Sequence, residues 1–168
     1  VDDLLDLSRI ESGGWRPMAT RVDVGGMVQD VFTAVRPAAT ANGLALVADV
    51  SRDATHVRVD PTAFRQILTN LVENAVRHTR DGKVTVGTRH GGDGVWVDVS
   101  DTGIGIAPEH LPRIFERFYR VDTGRSRADG GTGLGLAIVR HLVDAHGGRI
   151  DATSTLGRGT TISVLLPS

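Results

Sequence analysis

The segment 62–78 carries two stripes at helical spacing, and one of them has the residue types for chemistry. Phe64, Ile67, Leu68, Leu71, Val72 and Ala75 form an apolar stripe suited to a core. Beside it, Asn70, Glu73, Asn74, Arg77 and His78 repeat at i, i+3, i+4, i+7 and i+8. Asparagine is a poor mid-helix residue, because its amide competes with the backbone. Two of them one turn apart need a reason. A solvated polar face is one reading, with Glu73 and Arg77 pairing to support the helix. The other is an oxygen ligand for Mg²⁺, which takes few protein groups and fills its shell with phosphate oxygens and water. Arg77 and His78 would then meet phosphate.

Two glycine clusters add to this. Asp101-Thr102-Gly103-Ile104-Gly105-Ile106 follows the alternating run Val95, Val97, Val99. A carboxylate at a strand end can accept a hydrogen bond from a ligand amino group, and the glycines keep the adjoining wall free of side chains; a plain turn is the alternative. Gly130-Gly131-Thr132-Gly133-Leu134-Gly135 opens a helical run. It does not fit the dinucleotide fingerprint, since the spacing differs and a polar loop, not a strand, precedes it. A glycine-rich entry to a helix still gathers free N–H groups and the positive dipole end, which suits an anion. The loop 121–131 has the composition of a lid.

The elements that position these residues can be read in order. Residues 1–11 form the end of a helix through Leu4, Leu7 and Ile10, and 13–17 a linker. A helix starting at Asp23 or Asp30 buries Val28, Val31, Phe32, Val35 and Ala39 and stops at Asn42-Gly43. Strands follow at 44–50 and 57–59. Asp60-Pro61 is a capping side chain before a first-turn proline, opening a helix to about Thr79. Val84, Val86 and the Val95–Val99 run make a hairpin across Gly91-Gly92-Asp93-Gly94. A short helical piece spans 108–119. The helix from Leu134 ends near His146 at Gly147-Gly148, and a hairpin turning at 156–159 closes the chain. This order predicts a two-layer α/β sandwich: a mixed, mostly antiparallel sheet of about five strands, three helices on one face, and a flexible lid.

Bulk properties exclude several classes. The chain has 168 residues, 40% hydrophobic and 23% charged, room for one cored domain and a short appendage. Its 19 cations against 20 anions give no basic face for nucleic acid. There is no cysteine, so disulfide and thiolate-metal scaffolds are out. No apolar run approaches the roughly 20 residues that cross a bilayer, and the first residues lack signal-peptide character. Glycine is the outlier, 21 residues grouped in pairs and short-period sets.

Taken together the motifs resemble a family. N-L-V-E-N-A at 70–75 with His78-Thr79, D-T-G-I-G-I at 101–106, F-E-R-F-Y-R at 115–120, G-G-T-G-L-G-L-A-I-V at 130–139 and G-R-G-T at 157–160 occur in order. They resemble the successive boxes of the catalytic ATP-binding domain of two-component sensor histidine kinases, a Bergerat-type ATPase fold. Residues 1–14 look like the end of that family's dimerisation and phosphoacceptor domain and the linker; 15–168 would be the catalytic domain.

The resemblance implies ATP and Mg²⁺ as cofactors. Asp101 would hold the adenine amino group, with Gly103, Gly105 and Thr160 nearby. Asn74 would bind Mg²⁺, and Asn70 would lie beside the phosphates. Arg77 and His78 would touch phosphate or ribose, and Gly131, Thr132, Gly133, Leu134 and Gly135 would line the phosphates. Arg120 is the candidate for the γ-phosphate, with Arg125 or Arg127 behind it; Phe115 and Phe118 would pack the lid or meet the acceptor helices. Glu73 would orient a metal-bound water or polarise the acceptor, or else pair with Arg77. Relatives of the gyrase and chaperone branches carry a glutamate base where this chain has Asn70, and asparagine cannot be a base. A histidine acceptor needs less help, since its neutral imidazole offers a free lone pair.

None of the six histidines lies in an acceptor-like segment. The expected partners are therefore a separate dimerisation/phosphoacceptor domain and, downstream, a response regulator receiver domain. No nucleic acid and no direct membrane contact are expected. The isolated chain would be a cytoplasmic monomer, its parent a possible inner-membrane sensor. The alternatives are an ATP-binding regulatory module without phosphotransfer, and a gyrase- or chaperone-type ATPase of the same fold.

Overall fold

The computed structural model describes residues 15–117, 119 and 135–168. Three α-helices stand on one face of a five-stranded sheet. The first helix, α1 (Val24–Ala41), is opened by Asp23, whose carboxylate accepts from Gly26 N at 3.2 Å. It buries Val24, Val28, Val31, Phe32, Val35 and Ala39, the stripe expected from spacing plus one residue before it. Helix α2 (Pro61–Arg77) starts at Asp60, which accepts from Thr62 N and Ala63 N at 2.9 and 3.2 Å. It ends two residues earlier than expected, with His78 as its C-cap. Helix α3 (Gly135–Ala145) ends at Gly147, φ +70°, where Gly148 N returns to Val143 O at 3.0 Å. Helix α2 packs against both others and is the middle one.

The strands are β1 (Thr20–Asp23), β2 (Ala45–Asp49), β3 (His56–Val59), β4 (Lys83–Gly91), β5 (Gly94–Asp101), β6 (Arg149–Thr155) and β7 (Gly159–Pro167). The main sheet has the order β2-β4-β5-β7-β6; β2 and β4 are parallel and the remaining neighbours antiparallel. A parallel pair needs a crossover, and β3 with α2 supplies it. Val84 and Val86, Val95, Val97 and Val99, and Ile162, Val164 and Leu166 all point under the helices and are buried. The opposite face mixes polar residues with Trp96 and Leu165; there Arg89 bonds Asp98 at 2.8 Å and lies over the Trp96 ring.

A second, two-stranded sheet pairs β1 with β3, and β1 was not expected. The helical piece expected at 108–119 is, among the described residues, a single 3₁₀ turn at Leu111–Arg113. The expected helix at 1–11 and the expected lid at 121–131 lie outside the described residues. From Trp15 the chain is tied to the body at two points. Met18 N donates to Asp60 Oδ2 at 2.9 Å, and the Trp15 ring lies 6.2 Å from that of His146.

The topology brings three ends to one place. Strand β5 finishes at Asp101, directly opposite Thr160 at the start of β7, and the C-terminus of α2 lies over them.

Candidate functional site

Asp101 is the centre of the lower end of this site. Its Oδ1 accepts from Gly103 N at 2.9 Å and from Thr160 N at 3.2 Å. Burial pushes its carboxyl above the ordinary value; the two N–H donors and the nearby His78 oppose the shift without reversing it. The other oxygen, Oδ2, makes no hydrogen bond of normal geometry. A carboxylate that is desolvated, aimed by backbone and left with one free oxygen is an acceptor awaiting a donor.

The glycines around it are required by chain-on-chain contact. A Cβ on Gly103 would lie 2.2 Å from His78 O, so the loop after β5 packs flat on the end of α2. Gly105 has φ +76°, and a Cβ there would lie 2.3 Å from Thr155 O in the β6–β7 hairpin. Both expected glycines thus bring α2, β5 and the last hairpin together around Asp101.

Thr160 is buried and its hydroxyl donates to Ser154 Oγ at 2.8 Å; Ser154 donates in turn to Gly159 O at 2.9 Å and accepts from Ile106 N at 2.7 Å. Ser154 was not singled out from sequence; it sits in an alternating strand, where a polar residue gives no signal of its own. A second group is Thr79, quoted in the first motif but given no role there, which is buried just past the His78 cap. Its hydroxyl lies close enough to Asp101 to help hold its charge. Even so, it makes no hydrogen bond of normal geometry.

The upper end of the site is the polar stripe of α2. Asn70 Nδ2 donates to Gly135 O at 3.2 Å, which docks α2 on the first residue of α3 and leaves Asn70 Oδ1 free. The Asn74 amide, half-buried, has no hydrogen-bond partner among the described residues. His78 Nδ1 lies 2.8 Å from Asn74 O; a carbonyl can only accept, so Nδ1 carries the proton and Nε2 faces outward. Glu73 is exposed, and no Glu73–Arg77 ion pair forms. The helix-supporting pair that a solvated polar face would offer is therefore not made.

These findings bear on Mg²⁺. Among the described residues no three His, Cys, Asp or Glu side chains gather as a metal cluster. What exists is two amide oxygens one turn apart, uncommitted and hard. That donor set suits an ion that takes most of its ligands from phosphate and water. Arg120, Gly131, Thr132, Gly133 and Leu134, with Phe118, Arg125 and Arg127, lie outside the described residues.

Fold and site together define a nucleotide-binding ATPase domain. Residues 59–168 match the family of histidine kinase-, DNA gyrase B- and HSP90-like ATPases, and the chain belongs to it. Within it the chain is the ATP-binding domain of the two-component sensor histidine kinase type. It is 39% identical to the sensor-like histidine kinase SenX3 of Mycobacterium tuberculosis over 169 residues, all of this chain and 41% of that protein. The Staphylococcus aureus sensor protein SrrB is 35% identical over 99% of this chain and 29% of its own length. Full-length ShkA, solved with AMPPNP, superposes with a TM-score of 0.87 at 32% identity, covering 99% of this chain and 35% of that one. The chain thus spans about two fifths or less of these relatives. Among the described residues no helix is long and apolar enough to cross a membrane.

Proposed function

We propose that this chain binds Mg-ATP along α2 and transfers the γ-phosphoryl group to a histidine on a separate dimerisation/phosphoacceptor domain, for relay to a response regulator receiver domain. Adenine sits at the Asp101 end, its amino group donating to Asp101 Oδ2, with Thr160 alongside. From Asn70 to His78 the helix rises about 12 Å, room to lay a triphosphate from the base pocket to the start of α3. Arg77 and His78 meet ribose or phosphate, and the N-terminus of α3 at Gly135, with residues 131–134, takes the phosphates.

Asn74 would hold Mg²⁺, with Asn70 beside it. Bound there, the ion supplies charge neutralisation on the phosphate oxygens. The chain's own residues position and exclude; none need act as a base. The acceptor imidazole attacks the γ-phosphorus with its lone pair, the bond to the bridging oxygen breaks, and ADP leaves. Arg120 steadies the transferred group. Glu73, exposed and without Arg77, is free to orient a water or the incoming imidazole.

One observation carries this reading: Asn70 and Asn74 hold uncommitted amide oxygens on the same helix whose far end packs on Asp101. Residues 1–14 would join this domain to the acceptor domain, on the cytoplasmic side, and the isolated chain would be a monomer. The test mixes this chain with the parent's acceptor domain and γ-labelled ATP. Label on the acceptor histidine, and none on this chain alone, is the expected result. An unlabelled acceptor with ATP bound favours a regulatory module, and steady hydrolysis without acceptor favours a gyrase-type ATPase.

A further inference from the structure

Thr79 is held on two sides. A Cβ at Gly82 would lie 3.6 Å from its methyl Cγ2, and one at Gly103 would lie 2.6 Å from its hydroxyl. The methyl therefore faces the turn into β4, and the hydroxyl faces the Asp101–Gly103 loop. The residue is 1% exposed. Its Oγ1 is the single buried side-chain polar atom among the described residues that lacks a hydrogen-bond partner. Leaving a buried hydroxyl unpaired costs about 1–3 kcal/mol, and valine of the same shape would avoid the cost. A hydroxyl kept here needs a partner, and the Asp101 carboxylate, on which it already acts, can supply one.

We propose that Thr79 is a specificity-determining residue of the base pocket. Its hydroxyl donates to the Asp101 carboxylate when a base is bound, and so keeps that carboxylate an acceptor for an exocyclic amino group. This rests on the reading that Asp101 meets the base. An ionised Asp101 welcomes a 6-amino purine and repels the keto oxygen of a 6-keto purine. A protonated Asp101 donates, and the preference weakens. Burial already favours the protonated form, so a neutral hydroxyl donor acts on the selectivity directly. The charged or titratable groups around Asp101 are His78 beyond α2, Lys83 at the start of β4 and Arg158 in the β6–β7 turn. Of these, His78 acts on Asp101 in the same sense as Thr79.

The test titrates ATP and inosine triphosphate into the chain by calorimetry, at mildly acidic and mildly alkaline pH. The proteins are the unmodified chain, Thr79→Val, Thr79→Ser and Asp101→Asn. Thr79→Val should narrow the ATP preference about tenfold, most in acid, and Thr79→Ser should restore it. Thr79→Val should also melt no lower than the unmodified chain, since an unpaired hydroxyl becomes a methyl; a purely structural threonine would show the reverse. If Thr79→Val melts low, Thr79→Ala takes its place and the same ratio is read. An unchanged ratio in the Thr79 variants, with the ratio collapsed in Asp101→Asn, overturns the role of Thr79 and keeps the base reading. A ratio unchanged in Asp101→Asn, or no preference in the unmodified chain, overturns the base reading and the proposal with it.

Discussion

The carboxylate of Asp101 accepts the backbone N–H of Thr160 at 3.2 Å, and the two residues are also Cα partners in the β5–β7 register. One bond therefore does two jobs. It closes the sheet where β5 ends, and it commits Oδ1, leaving Oδ2 without a backbone donor. Residues 59 apart in sequence fix the acceptor before any ligand arrives, which is preorganisation by secondary structure.

That arrangement sets stability against function. Asp101 prefers its proton in the folded chain more than in the unfolded one, because burial penalises the charge. Its favourable contribution is thus present where the carboxyl is protonated, and it is lost as pH rises through the carboxylate range to the raised folded value. Asp101→Asn keeps an oxygen for Gly103 N and Thr160 N but never ionises. It should melt higher than the unmodified chain at neutral pH, with the gap closing in acid. ATP affinity should fall about 10- to 100-fold, the worth of a hydrogen bond to a charged acceptor. Thermal melts across pH and calorimetry check both arms; lower stability at neutral pH would sink the argument.

Gly103→Ala probes the contact between β5's exit loop and α2. The added Cβ meets His78 O at 2.2 Å, and backbone cannot swing aside as a side chain can. Overpacking of this kind costs about 1–3 kcal/mol, so denaturant midpoints should drop. ATP binding should weaken too, since the displaced loop carries Asp101. Full ATP affinity in a destabilised variant would separate the packing from the site.

Much of this was legible in the sequence, for identifiable reasons. The two stripes of α2, the Asp60-Pro61 start and the Val95–Val99 alternation are local patterns, and each was found where expected. Strand β1 was not legible: its four residues are mostly exposed and only Val22 packs inward, so no periodicity marks it. Its existence depends on pairing with β3, a non-local event. The roles of Thr79, seen only as part of a motif, and of Ser154 were not legible for the same reason. Their burial and partners come from β4, β6 and the loop after β5 closing around them. The functional motifs were readable as patterns, but the hydrogen bond from Asn70 to Gly135 and the missing Glu73–Arg77 pair were not.

Asn74 makes a cleaner metal test than its neighbours. Its amide has no partner in the folded chain, so Asn74→Ala removes no internal bond, and alanine is the better helix former by about 0.5 kcal/mol. The variant should be as stable as the unmodified chain or slightly more so. Its ATP affinity should no longer rise with added Mg²⁺, while the metal-free affinity stays. Asn70→Ala, by contrast, loses the bond to Gly135 O and should lose stability as well. A Mg²⁺ response that survives in Asn74→Ala would remove this residue from the metal site.

Asp60 is where pH should reach the fold itself. Burial alone would raise its carboxyl, but the N–H groups of Met18, Ala63 and Thr62, helped by His146, outweigh that and hold it below the ordinary carboxylate value. A depressed folded value means the stabilisation is present above the unfolded value and lost as pH falls through the folded one. His146 is bound in as well: Nδ1 donates to Leu142 O at 2.7 Å, and Nε2 accepts from Asp60 N at 3.0 Å. This one carboxylate therefore ties the entry segment and the start of α2 together, and its own main-chain N–H reaches the end of α3. Asp60→Ala removes the cap and leaves three donors without an acceptor, and should cost about 1–2 kcal/mol or more at neutral pH. Asp60→Asn keeps a capping oxygen and should cost less. Its deficit against the unmodified chain should shrink as pH falls into the carboxylate range, because there Asp60 loses its charge too. Denaturant titrations of the three proteins at several pH values measure this. A deficit that stays constant through acid would mean the charge contributes nothing and the cap acts by geometry alone.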